Sequence, residues 1–246
     1  MRTFAKLTWV ELKLFGREPI SVLFTFAFPL VVLVVLAGVF GNEAEADAFF
    51  GLRPTDYYGA AYPAVVIGAI GLIALPVHIA AYRERGVLRR FQASSVPVSA
   101  VVGSQLMVGL VAATVGSLVL VLAARLLYDA ALPESVGGSV LSFAVATISF
   151  LAVGLLLGSL ARNARSAQAL GMLLFFPLWI LSGAGPPRDV MGDAMSQVAD
   201  VLPLTWVVDA LLEPWLFDGL AGTDLLSLVA LLVISVAVAA RCLRPA

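Results

Sequence analysis

The chain has 246 residues, of which 61% are hydrophobic and only 13% charged. Soluble domains average about half apolar and about a quarter charged residues, which excludes both a water-facing globule and a disordered chain. With 15 Lys and Arg against 16 Asp and Glu there is no basic excess for nucleic acid, and one Cys and one His exclude an internal disulfide and a histidine-rich metal site.

Residues 1–19 come first. Arg2, Lys6, Lys13 and Arg17 recur at intervals of 4, 7 and 4, and Phe4, Leu7, Val10 and Leu14 at 3, 3 and 4. On a helix these make two separate stripes. An amphipathic helix lying on a leaflet, with its basic stripe at anionic head groups, fits the pattern; so does plain flanking charge. The first long apolar run starts near Ile20 and flows on without a small-residue cleavage site, so no cleavable signal peptide is expected.

Six stretches satisfy the need for about 20 mostly apolar residues per crossing: 20–41, 58–82, 97–124, 136–161, 167–185 and 225–240. A seventh, 201–217, contains Pro203, Asp209, Glu213 and Pro214 and reads as a re-entrant or interfacial segment. The expectation is an all-α polytopic membrane protein forming a single transmembrane domain over 1–246.

Charge fixes an orientation for this count. With the amino terminus inside, Arg2, Lys6, Lys13, Arg17, Arg83, Arg85, Arg89, Arg90, Arg162, Arg165, Arg241 and Arg244 fall inside and only Arg53, Arg125 and Arg188 outside. Glu11, Glu18 and Glu84 are the only inside acids, so a net charge of −1 hides strongly polarised faces. The positive-inside rule then puts both termini in the cytoplasm of a multi-pass cell-membrane protein.

The inside segment 83–95 holds Glu84, Arg85, Gly86, Val87, Leu88, Arg89, Arg90 and Phe91. Leu88 and Phe91 share one helical face and Arg85 and Arg89 another. Such a helix can lie on lipid or enter a groove on a soluble partner, and a plain basic loop has the same composition. The outer region 186–224 is long, acidic and proline-rich, and fits a cap over the outer end of the bundle better than a substrate site. Within the spans, Gly103, Gly109, Gly116, Gly154 and Gly158 permit close helix approach. His78 reads as a satisfied or interfacial side chain rather than a catalytic one.

Enzyme motifs are missing. Ser182-Gly183 lacks the preceding glycine and a nearby base that serine proteolysis needs, and Gly192-Asp193 lies outside the spans. No glycine-rich phosphate loop ends in Lys-Ser/Thr, so no nucleotide hydrolysis, and no cofactor, is expected of this chain.

Two segments carry a resemblance. Glu84-Arg85-Gly86-Val87-Leu88-Arg89-Arg90 is similar to the cytoplasmic signature of ABC type-2 exporter permeases, a group that includes permeases of the daunorubicin-resistance kind. Leu181-Ser182-Gly183, Pro187, Met191, Pro203-Leu204-Thr205 and Asp209-Ala210-Leu211 resemble the second signature of that family. The chain departs from the pattern at Ser95, Gly192 and Leu212.

The resemblance implies a half-transporter, in which two permease copies or a pair of sister chains join separate ATP-binding subunits. Glu84, Arg85, Gly86, Leu88, Arg89, Arg90 and Phe91 would then form the coupling helix seated on the ATPase. Cargo, an amphipathic drug or lipid-like molecule, would leave between the copies along spans two and five. A different class of function, a non-transporting membrane scaffold that binds a cytoplasmic partner through the same helix, is the alternative.

Overall fold

A computed structural model of the chain describes residues 2–40, 43, 49–87 and 98–242. Its architecture is all-α, without a strand among the described residues. A short helix, α1 (Arg2–Phe15), leads at Gly16 into α2, in which Pro19–Val22, Leu23–Ala27 and Phe28–Phe40 run on as one helix. Then follow α3 (Pro54–Glu84), α4 (Val98–Tyr128), α5 (Val136–Leu160), α6 (Ala164–Leu181), α7 (Asp193–Asp200), α8 (Pro203–Leu216) and α9 (Gly222–Cys242).

Five helices, α3 to α6 and α9, are long and apolar enough to cross a membrane. In α2 the apolar helix that qualifies is shorter, Leu23–Leu36. Its full helical run, 19–40, is still roughly 30 Å long at 1.5 Å per residue, about one bilayer core. The pair α7–α8 is bent by 89°. Arg188 holds the bend of this pair through Asp200, and the α4–α5 loop holds its far end, with Glu134 N and Ser135 N donating to the carbonyls of Trp215 and Pro214 at 3.1 and 2.9 Å. Such a bend is that of a broken span or of a re-entrant segment, the latter being the expectation from the sequence.

The organising helix is α3. Every residue from Pro54 to Pro76 is buried, because α2, α4, α5, α6 and α8 all pack on it. Proline shapes its middle. Pro76 lacks the N–H that would bond Leu72 O in an α-helix, and the chain widens just before it into a π turn, Ile70–Ala74, where Leu75 N–H reaches back to Ile70 O. Pro29 has the same relation to the π turn Leu23–Ala27 in α2.

The π turn of α3 faces glycines. A Cβ placed on Gly171 of α6 would lie 2.1 Å from Leu72 O, and one on Gly154 of α5 would lie 2.5 Å from Gly71 O. A Cβ on Gly158 would come within 2.7 Å of Ile79. Backbones therefore meet directly along α3, as small-residue crossings allow. The close-approach expectation for Gly109, Gly116, Gly154 and Gly158 is met, while Gly71 and Gly171 escaped notice in the sequence.

The amphipathic helix also has a side packed on the protein. The side of α1 that packs on α4 and α3 carries Phe4, Glu11 and Phe15, with Glu11 and Phe15 buried, whereas Val10 and Leu14 of the expected apolar stripe are exposed beside Trp9, Lys6 and Lys13. A buried carboxylate with partners recruits its own face inward; the apolar and basic residues left outside form the interfacial side.

Candidate functional site

Two polar ends frame the bundle, one basic and one acidic. At the basic end α3 finishes in Arg83 and Glu84. The Arg83 guanidinium donates to the Ser159 carbonyl and, at 3.4 Å, to those of Gly158 and Ala161, which cap the end of α5. Glu84 Oε2 accepts from Ala164 N at 3.1 Å, at the start of α6. A cation on a helix C-terminus and an anion on a helix N-terminus each complement the local dipole, so adjacent residues of opposite charge clamp the α5–α6 turn. Asn163 completes that turn, accepting from Ser166 N at 2.8 Å as a capping box.

Gly86 takes a left-handed conformation, φ +64°, and ends α3 with its N–H on Arg83 O. Arg85 beside it is exposed. Leu88, Arg89, Arg90 and Phe91 of the expected coupling segment lie outside the described residues.

One turn earlier, α1 is tied to the same helix end. Tyr82 Oη donates to Glu11 Oε1, and Gln105 Nε2 of α4 donates to Glu11 Oε2 at 2.7 Å. His78 is buried against Phe15, ring centroids 6.0 Å apart, with Nε2 3.5 Å from a carboxylate oxygen of Glu18. No nucleophile is placed with it by these contacts, and Nε2 makes no hydrogen bond among the described residues, so the imidazole is buried without being satisfied as expected.

At the acidic end the second signature is a set of helix-end devices. Ser182 caps α6: its N–H bonds Leu178 O at 2.9 Å, its Oγ donates to Trp179 O at 3.1 Å and accepts from Ala184 N at 3.3 Å. Gly183 follows at φ +89°, left-handed. Tyr57 Oη donates to Gly183 O at 3.0 Å and Tyr58 Oη to Gly185 O at 2.9 Å, so the N-terminal turn of α3 pins the exit of α6.

Pro187 is buried and starts the short 3₁₀ turn Arg188–Val190. Arg188 then reaches two aspartates, Asp200 of α7 and Asp209 of α8, the latter at 2.9 Å. Pro203 opens α8, and Leu204 and Thr205 behind it are fully buried. Met191 and Asp209 line, with Tyr57 and Arg188, a polar cavity of about 420 Å³. The structure thus brings Ser182, Gly183, Pro187, Met191 and Asp209 together around Arg188, and uses Pro203, Leu204 and Thr205 to root α8.

The remaining basic residues of this end are paired too. Arg53 binds Asp56 at 2.8 Å, which pushes the guanidinium above its ordinary pKa, and Arg125 binds Asp129 at 2.7 Å. Asp56 Oδ1 also accepts from Ala131 N at 2.7 Å. All three basic residues assigned to this end by the charge count are therefore neutralised locally.

Glu11, Tyr82, Arg83, Tyr57, Tyr58 and Arg188 were not among the expected site residues. The signal in the sequence was faint: a single acid on a basic helix, tyrosines at a span edge, and one arginine in an acidic loop.

No curated relative matches the chain. The profile of the ABC-2 type transporter family matches residues 2–214, from α1 through nearly all of α8. The described residues form an all-α bundle of membrane-length helices and most of the chain's length is matched, so the chain belongs to the ABC-2 type transporter family as a membrane subunit of an ABC transporter.

Proposed function

We propose that this subunit is the permease half of an exporter that moves an amphipathic drug or lipid-like molecule out of the cell, driven by a separate ATP-binding subunit and paired with a second permease copy or sister chain. Within the family this reading assigns it to the drug-resistance kind, similar to the daunorubicin permeases. The basic end faces the cytoplasm together with both termini, the acidic end faces outward, and the membrane is the cell membrane.

The observation that carries this reading is the course of α3. The helix packed on five others ends directly at Glu84–Gly86, where the coupling segment begins. Displacement of that segment by a closing ATPase would move the core of the bundle rather than a peripheral helix, a switch driven by differential contacts. The Glu11–Tyr82 bond would carry α1 along, and the Arg83–Glu84 clamp would carry the α5–α6 turn.

In this reading Glu84, Arg85, Arg89 and Arg90 make the charged contacts with the partner and Leu88 and Phe91 fill its cleft, while Glu84 also accepts from Ala164 N and so joins the segment to the α5–α6 turn. For the path, burial supports the second of the two expected spans: residues 54–76 are enclosed by their own chain, whereas α6 exposes Leu170, Leu173 and Ile180. Cargo would follow α6.

The test is co-purification with the ATP-binding subunit and measurement of its ATPase rate. Charge reversal by Arg85→Glu with Arg89→Glu is expected to weaken association by tenfold or more, about 1.4 kcal/mol or greater. Association and ATPase stimulation unchanged by that pair of substitutions would refute the coupling assignment, and association without any cargo-dependent ATPase change would favour a scaffold.

A further inference from the structure

Two spans carry the same irregularity. In α2 the π turn Leu23–Ala27 ends two residues before Pro29, and in α3 the π turn Ile70–Ala74 ends two residues before Pro76. In each, the N–H after the turn reaches five residues back, Phe28 to Leu23 O and Leu75 to Ile70 O. Each proline also leaves the carbonyl four residues before it, Thr25 O or Leu72 O, without its α-helical donor. Both carbonyls are turned onto a glycine of a neighbouring helix. A Cβ on Gly116 of α4 would lie 3.3 Å from Thr25 O, and one on Gly171 of α6 would lie 2.1 Å from Leu72 O. The long helices α4 and α5 have neither a π turn nor a proline within them.

The two π turns also stand side by side. The antiparallel helices α2 and α3 meet where Glu18 approaches His78 at 3.5 Å, and again at Gly116, where a Cβ would touch both Thr25 and Val66. Thr25 and Gly71 are each seven residues from the first contact, and Ile70 is four residues from Val66 at the second. The turns therefore lie within about one helical turn of each other in height.

On the basic side of this level the chain is tied into one arm. Phe15 stacks on His78 and Tyr82 donates to Glu11, which joins α1 and the start of α2 to the last turns of α3. On the acidic side α3 is held by other partners, through Tyr57, Tyr58 and Asp56 to Gly183, Gly185 and Ala131. A π turn followed by a proline is where a helix bends at least cost. Two such turns at one level let both helices bend about a common line.

We propose that the paired π turns form a common hinge, about which α1 and the inner ends of α2 and α3 swing as one arm against the outer half of the bundle. Gly116 and Gly171 are its bearings, since no side chain stands between them and the freed carbonyls. The hinge stands on the fold alone. Its driver rests on the coupling reading above, in which the arm ends at the coupling segment.

The experiment measures spin-label distances by pulsed electron paramagnetic resonance on paired cysteines of the full chain in lipid nanodiscs, in a Cys242→Ser background. Ala5→Cys with Val39→Cys spans the hinge, Ala5→Cys with Arg85→Cys lies within the arm, and Val39→Cys with Leu132→Cys lies beyond it; all four sites are exposed. In the chain alone the spanning pair is expected to give a distribution roughly twofold broader than the other two. Pro29→Ala with Pro76→Ala supplies the missing donors and should narrow it to their width. With the ATP-binding subunit present, ATP should shift the spanning pair and leave the other two in place. Equal widths for the three wild-type pairs would overturn the hinge, and this comparison decides by itself should the proline variant not fold. A width unchanged in a folded proline variant would overturn it as well. A broad spanning pair that narrows in the variant but ignores ATP would support the hinge and sink the coupling reading.

Discussion

Glu11 is 3% exposed, and its two carboxylate oxygens are taken by Tyr82 and Gln105. Replacing it by Leu strands a half-buried phenol and a buried amide, which should cost about 2 kcal/mol or more, while Glu11→Gln should retain part of the network. Thermal unfolding in detergent is expected to rank wild type above Gln and Gln above Leu. Glycines give a second test. Gly171→Ala forces a methyl to within 2.1 Å of Leu72 O, whereas Gly137→Ala meets nothing within 4 Å. The first should destabilise by about 2 kcal/mol or more and the second should be neutral or mildly stabilising, as read by the same melting curves. These roles were hard to read from sequence because each depends on what lies opposite. Gly154 and Gly158 announce themselves by their spacing of four, but Gly171 is a lone glycine whose partner is a carbonyl bulging from another helix.

Among the elements, spacing and hydropathy located the spans well, and the errors sit at their ends. The start of α3 lies at Pro54 rather than 58 because Asp56, Tyr57 and Tyr58 are polar residues that the fold satisfies internally, through Ala131 N and the carbonyls of Gly183 and Gly185. Hydropathy penalises such residues; burial with partners does not. The break at α7–α8 was legible from its prolines and acids, but the arginine that fastens it was not, since a charge count registers Arg188 only as an exception. Arg188→Ala should release Asp200 and Asp209 together. Hydrogen exchange in 193–200 is expected to rise severalfold on loss of these paired charges, with α4 and α5 unchanged. Unaltered protection of α7 would show that the turn is held by its other contacts.

For the molecule as a whole, the charge sorting read from the sequence reappears as two distinct ends. The structure adds that Arg53, Arg125 and Arg188, the apparent exceptions, each face an aspartate. The central position of α3 was not legible, because an apolar side chain facing lipid and one facing another helix score alike. In the proposed function that position would give the coupling segment its leverage, and the account rests on this segment facing the cytoplasm while the acidic end faces out. The most direct measurement is labelling of single cysteines, Ser94→Cys and Ser135→Cys, each in a Cys242→Ser background, with a membrane-impermeant maleimide on intact cells. Ser135→Cys should react at once and Ser94→Cys only after the membrane is opened. Labelling of both from the outside, or protection of both, would contradict it.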